Sequence, residues 1–182
     1  DYNTPITTFV NEFNGEIDNA NIASDAAIAG TKLANASVTP SQWTNPYCFR
    51  AYPSSGTSIA DASDTKVLFQ TEDYDYNSNF ATSTYTAPVT GVYHFGGRVE
   101  FATSIVSGVT TSLSLYVNAA VASKGERNNA YSTTGVCTLS TDVPVTAGQT
   151  VELYCYQDSD GAEATTATAT STFFYGHLVH AV

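Results

Sequence analysis

From Pro46 onward, apolar and polar residues alternate in short runs, broken by clusters of Gly, Asn, Asp, Ser and Pro. Runs of about four to eight residues with a period of two mark half-buried strands. The pattern predicts strands over 46–52, 66–71, 79–86, 91–101, 111–118, 120–124, 134–140, 149–157 and 171–180. No segment sustains the 3.6-residue period of an amphipathic helix. Many short antiparallel strands with polar turns predict an all-β sandwich or jelly roll.

Parity within each run sorts the side chains into layers, because successive residues of a strand point to opposite faces. In 91–101, Tyr93, Phe95, Gly97, Val99 and Phe101 share one face, and Val92, His94, Gly96, Arg98 and Glu100 the other. The first set is predicted core. In 111–118, Leu113, Leu115 and Val117 point inward, with Ser112, Ser114, Tyr116 and Asn118 outward. In 149–157, Val151, Leu153 and Cys155 point inward, and the opposite face carries Tyr154 and Tyr156. In 171–180, Phe174, Gly176 and Leu178 form one face, and Phe173, Tyr175 and Val179 the other. The last two strands are thus apolar or aromatic on both faces. A two-sheet sandwich buries one face of each strand, so the surplus aromatic face requires a cover. Another subunit is the economical one.

The first 44 residues differ in character. Residues 14–38 read as five short units, each opening on a turn-forming residue and closing on one branched aliphatic: Ile17, Ile22, Ile28, Leu33 and Val38. That spacing smears the aliphatics around a helix and scatters them over both faces of a strand. A lone chain with so few apolar residues cannot offset the entropy of its own ordering. Three copies that send their aliphatics to a common axis can, which describes a thin homotrimeric stalk. The same stretch also reads as a disordered Ala/Asn-rich linker. Phe9 and Phe13 precede it as anchor residues. The predicted organisation is therefore an anchor and stalk segment over 1–44 and a head domain over 45–182.

Charge narrows the function. Seventeen acids against six bases give a net charge of −11. Such a surface lacks the basic footprint that nucleic-acid binding requires. No apolar run reaches membrane-spanning length, so no membrane insertion is expected. No signal peptide opens the chain and it contains no Met, which reads as a processed form or a fragment. Cys48, Cys137 and Cys155 form no metal-ligand spacing; by parity Cys137 and Cys155 are predicted as buried small hydrophobes.

Catalytic signatures are lacking. His94, His177 and His180 form no His-x-His pair, and there is neither a nucleophile elbow nor a phosphate loop. The chain is read as a non-enzyme with no metal and no cofactor. Its acidic clusters, Asp61/Asp64, Glu72/Asp73/Asp75 and Asp158/Asp160, read as solubilising loops. Recognition is expected on loops 53–64, 72–79, 102–110, 124–133 and 157–170. Among these, Tyr74, Asp75, Tyr76, Asn77 and Asn79 combine aromatics, amides and a carboxylate in a way that suits stacking and hydrogen bonding to a sugar. A Tyr-rich turn that merely packs is the other reading. The tip Lys124-Gly-Glu-Arg-Asn-Asn129 has no assignable ligand.

The order of the strands carries a resemblance. The matching text is Val67-Leu-Phe69, Phe80-Ala-Thr-Ser-Thr-Tyr85 and Ala87-Pro-Val-Thr-Gly-Val-Tyr-His-Phe95. It continues with Leu113-Ser-Leu-Tyr-Val-Asn118, Val145-Thr-Ala-Gly-Gln-Thr-Val151 and Ser171-Thr-Phe-Phe-Tyr-Gly-His-Leu178. Residues 46–180 thereby resemble the globular head of complement C-one-q and its tumour-necrosis-factor relatives. The resemblance implies a ten-strand jelly-roll sandwich that forms a homotrimer, with the sheet of the third, sixth and last main strands facing the threefold axis. It implies an interface of Tyr116, Tyr154, Tyr156, Phe173 and Tyr175, which the repeat pattern of residues 14–38 would continue down the stalk through Ile17, Ile22, Ile28, Leu33 and Val38. Calcium, known in relatives of that head, is the one cation it would admit. Two features depart from the family: Gly148-Gln149 stands where an acidic residue often follows the glycine, and the collagen repeat is absent.

The preceding text, Ile6-Thr-Thr-Phe-Val-Asn-Glu-Phe-Asn14 with Gly15-Glu-Ile-Asp-Asn-Ala-Asn-Ile22 and Ala26-Ala-Ile-Ala-Gly-Thr-Lys-Leu33, resembles stalk segments of bacteriophage fibres, spikes and capsid decorations. Together the two parts imply a structural protein of the virion surface, assembled in the host cytoplasm. It would touch other virion proteins through its N-terminal segment and also meet the host surface, glycan or protein. The alternative is a receptor-binding or carbohydrate-binding adhesin module.

Overall fold

A computed structural model describes residues 47–105, 108–125, 127–129 and 134–182. The stalk positions Ile17, Ile22, Ile28, Leu33 and Val38 lie outside them. In chain order the strands are β1 (Cys48–Tyr52), β2 (Ser58–Ile59), β3 (Thr65–Lys66), β4 (Thr71–Asp75), β5 (Phe80–Ala81), β6 (Thr84–Thr86) and β7 (Gly91–Ser104). They continue as β8 (Thr110–Val117), β9 (Ala120–Lys124), β10 (Asn128–Asn129), β11 (Thr134–Val145), β12 (Thr150–Gln157), β13 (Glu163–Ala164) and β14 (Phe173–Ala181).

Two sheets face each other. One has five strands in the order β11-β7-β14-β1-β4. The other has seven, in the order β10-β8-β12-β6-β5, with β3 on β12 and β9 on β8. A small ribbon pairs β13 with β2. Every pairing between these strands is antiparallel.

The inward faces follow the period-two pattern. Tyr93, Phe95, Val99 and Phe101 of β7 are buried, as are Leu113 and Leu115 of β8, Val151, Leu153 and Cys155 of β12 and Phe174 of β14. Phe49 stacks on Phe80 at 4.7 Å and on Tyr85 at 4.8 Å, and Phe174 meets Phe49 edge-on at 5.1 Å. Each such ring contributes about 1.5–3 kcal/mol through burial alone. Gly176 is required for this packing, because a Cβ there would strike the Phe95 ring. Cys137 and Cys155 are buried and free, and Cys48 is half-buried. The hydrogen bond between the two buried thiols, together with burial, pushes the Cys155 thiol well up.

Strand boundaries differ from the pattern in several places: β7 continues to Ser104, and β2, β4, β10 and β13 fall in stretches expected to be loops. The run expected over 66–71 is not one strand, because Ser83 Oγ takes the backbone of Phe69 from both sides, accepting from its N–H at 2.7 Å and donating to its C=O at 3.1 Å. A side chain thus replaces the ladder partner, and pairing resumes only at β4. The 79–86 run splits into β5 and β6 around Thr82 and Ser83, both at positive φ, the conformation of a tight hairpin turn. β11 runs on to Val145 through Pro144; it is an edge strand of its sheet, where proline is tolerated.

Candidate functional site

The inward faces are filled, so recognition rests on the two outward faces and the loops. On the outward face of the five-stranded sheet, residues align in rungs across the strands. Cys48, His177, His94 and Asp142 form one rung, and Arg50, Tyr175, Gly96 and Ser140 the next. Phe173 pairs with Arg98. The rings make a continuous stripe: Phe173 to Tyr175 at 6.2 Å, Tyr175 to His94 at 6.0 Å and His94 to His177 at 5.3 Å. Arg50 covers the Phe173 ring at 4.8 Å, a cation–π contact.

Charges on this face are matched inside the chain. Arg50 pairs with Asp73 and donates to the Ala169 carbonyl at 2.7 Å. Arg98 pairs with Glu100 at 2.6 Å and donates to the Ser171 carbonyl. His94 Nδ1 lies 2.6 Å from Asp142 Oδ1. Burial, reinforced by the neighbouring His94, lowers the pKa of His177 despite the opposing pull of Asp142.

Ser140 Oγ also lies 3.3 Å from His94 Nε2, which gives a Ser–His–Asp order on adjacent strands. These contacts tie β7 to β11 through side chains as well as through the backbone.

The outward face of the seven-stranded sheet carries a separate group. Tyr116 and Tyr154 pack at 4.1 Å between centroids. Tyr116 donates to Asp64 at 2.9 Å and Tyr154 to Glu152 at 3.3 Å. Burial first and these carboxylates second push both phenols up. Glu152 in turn binds Lys66 at 2.7 Å and accepts from Thr84 at 2.9 Å. Tyr156 lines a cavity of about 230 Å³ with Asp64, Ser112, Lys124, Gly125 and Arg127.

The five aromatics expected on one interface are thus divided. Phe173 and Tyr175 belong to the outward face of the five-stranded sheet; Tyr116, Tyr154 and Tyr156 belong to β8 and β12 in the other sheet. Parity within a strand separates inward from outward, but it carries no information on which sheet the strand joins. The outward faces of the two layers of a sandwich point in opposite directions.

In the 74–79 segment much of the polar capacity is spent locally. Asp75 accepts from the Phe80 N–H at 2.8 Å, and Asn77 donates to Asn79 at 2.9 Å. Tyr74 and Tyr76 stack at 5.5 Å and remain exposed, Tyr76 at 72 %. The acidic loop residues also bind backbone: Asp158 accepts from Thr110 N–H at 2.6 Å and Asp61 from Asp160 N–H at 3.0 Å. Among the described residues no group of three His, Cys, Asp or Glu is placed to hold a metal ion, and no helix is long and apolar enough to cross a membrane.

No protein-family model matches the chain, and no curated protein matches it in sequence. Solved structures do resemble it. The globular domain of zebrafish complement 1qA aligns with a TM-score of 0.56 at 18 % identity, over 75 % of this chain and 99 % of that domain. Murine APRIL aligns at 0.55 and 13 %, over 73 % and 98 % of the two chains. The Eiger TNF of S. frugiperda aligns at 0.56 and 11 %, over 75 % and 94 %. The described domain is an all-β jelly-roll sandwich of the complement-head and tumour-necrosis-factor type.

Proposed function

We propose that this chain is a non-enzymatic structural protein of a bacteriophage virion, a homotrimer forming a head fibre, spike or capsid decoration. The observation that carries this reading is the stripe Phe173, Tyr175, His94 and His177 on the outward face of the five-stranded sheet. It is aromatic, and its arginines Arg50 and Arg98 are already matched by Asp73 and Glu100, while His94 Nδ1 lies against Asp142. Chains of net charge −11 repel one another at a distance. A contact face that is aromatic at its centre, with its arginines already paired, lets them meet without leaving an unpaired buried cation. That sheet contains the last strand, the position the complement-head resemblance assigns to the threefold axis.

In this reading residues 1–44 seat the head on the particle, with Ile17, Ile22, Ile28, Leu33 and Val38 meeting their symmetry mates. The test is immuno-electron microscopy of intact particles combined with light scattering of the purified chain. Labelling on the particle surface and a mass of three chains support the proposal; a monomeric protein absent from particles overturns it. Changing Ile22 and Ile28 together to Asn is expected to leave the head trimeric but detach it from the particle. The adhesin reading is favoured by one observation, the cavity at Tyr156.

A further inference from the structure

Lys124 and Arg127 form no ion pair with any described residue, whereas the other three described Lys and Arg side chains, Arg50, Lys66 and Arg98, each bind a carboxylate. Lys124 and Arg127 line the same cavity, beside Ser112, Tyr156, Gly125 and Asp64. We propose that this cavity binds one acidic sugar unit, a uronic or sialic acid of a surface glycan.

The site is built by the fold. Ser112 and Tyr156 are direct cross-strand partners on β8 and β12, so a small hydroxyl and a phenol ring stand side by side on one outward face. β9 brings Lys124 alongside Ser114 on the other edge of β8. Its chain then turns at Gly125, whose N–H donates to the Leu113 carbonyl at 2.8 Å. A Cβ on Gly125 would strike the Thr138 carbonyl. Glycine is therefore needed for the tip to lie close enough for Lys124 and Arg127 to edge the cavity. Asp64, just before β3, closes another side and is fixed by the Tyr116 hydroxyl at 2.9 Å.

The chemistry of the lining selects the ligand. Lys and Arg together suit a carboxylate, which Arg can take in bidentate fashion. Asp64 argues against inorganic phosphate or sulfate, since a carboxylate in the wall repels a compact multivalent anion. The same carboxylate, acceptor-only when ionised, welcomes a hydroxyl donor, as does Ser112. Tyr156 offers a flat apolar surface with a polar end. A ligand with an anion at one end, hydroxyls at the other and an apolar ring face between matches all of these. The volume, about 230 Å³, lies below the roughly 300–1,000 Å³ of sites for drug-sized ligands, which fits a single sugar ring. The cavity sits on the seven-stranded sheet, away from the face proposed for self-association, so neither proposal depends on the other.

The test is ligand-observed NMR on the intact chain with sodium D-glucuronate and N-acetylneuraminate, and with D-glucose and inorganic phosphate as comparisons. Saturable binding of one or both acids is expected, at least tenfold tighter than glucose and phosphate, and weakened by added salt. Changing Lys124 and Arg127 together to Gln should reduce that binding at least tenfold. Tyr156→Ser should do likewise, with an unchanged circular dichroism spectrum and unchanged oligomeric mass. Ser112→Ala, a smaller change, keeps the test valid if either of these variants misfolds, and should weaken binding severalfold. The proposal is overturned if neither acid binds up to roughly 10 mM, an affinity of only a few kcal/mol. It is equally overturned if phosphate or glucose binds as well as the acids, or if acid binding survives every folded variant.

Discussion

The Tyr175 ring lies over Gly96 of the neighbouring strand, in a hollow that any side chain would fill. Tyr175 and Gly96 are direct cross-strand partners, and a Cβ built on Gly96 would run into the ring. Glycine in a strand interior is costly in backbone entropy and often marks a close approach. Here it lets a large phenol lie down on the sheet, which flattens the face between His94 and Phe173. Gly96→Val is expected to lift the ring, destabilise the fold by about 1–3 kcal/mol as an overpacking change and weaken self-association. Denaturant unfolding and light scattering of the same variant check both. An unaltered oligomer with Val at this position would show that the flat face is not needed.

The two faces of β7 should respond very differently to truncation. Phe95 is fully buried among Phe49, Tyr85, Tyr93 and Phe174, so Phe95→Ala should cost roughly 3–5 kcal/mol. His94 on the opposite face pairs with the exposed Asp142, and His94→Ala should cost less than about 1 kcal/mol. Both are compared at equal protein concentration, because association adds to apparent stability.

Acid should act first through His177. Its folded pKa is lowered by burial and by His94, so below about 6.5, the ordinary histidine value, the unfolded chain takes up a proton more readily than the folded one. Stability therefore falls as pH drops from about 7 toward the lowered folded value, and is unaffected by this group above that range. His177→Asn should flatten this part of the stability–pH curve. A slope identical to wild type would remove His177 as its source.

A second loss should follow at lower pH. Burial alone would raise the Glu152 carboxyl, but hydrogen bonds from Lys66 and Thr84 outweigh it and hold the pKa below the usual range. Its stabilisation is present above about 4.3, the ordinary glutamate value, and disappears as pH falls through the lowered folded value. Glu152→Gln should lower stability at neutral pH and shrink the acid-induced loss below 4.3, measured by denaturant midpoints across pH. Equal acid sensitivity in the variant would place the effect elsewhere.

The layers of the sandwich were legible because Tyr93, Phe95, Val99 and Phe101 alternate with polar residues, and a period of two has only one structural meaning. That Phe174 and Gly176 share one face of the last strand was equally readable. The break after Lys66 was not, since it depends on Ser83, fourteen residues beyond Phe69, taking over both backbone groups. The sheet to which each aromatic belongs was also hidden. Tyr156 and Tyr175 have the same outward parity, yet β12 and β14 lie in different layers because the connections cross over. The cavity assembles Asp64, Ser112, Lys124 and Tyr156 from four separate stretches. Only the Lys124–Arg127 tip stood out in the sequence, and it pointed to no ligand there.

Association through the outward face of the five-stranded sheet is tested most directly by sedimentation equilibrium of three proteins at micromolar concentration: the unaltered chain, Tyr175→Asp and Tyr154→Asp. An unpaired charge placed in a buried contact between chains costs several kcal/mol, whereas a charge placed outside the association face leaves the oligomer intact. The expected masses are three chains for the unaltered protein, one for Tyr175→Asp and three for Tyr154→Asp. A monomeric unaltered protein, or dissociation by Tyr154→Asp with Tyr175→Asp still trimeric, would contradict the account.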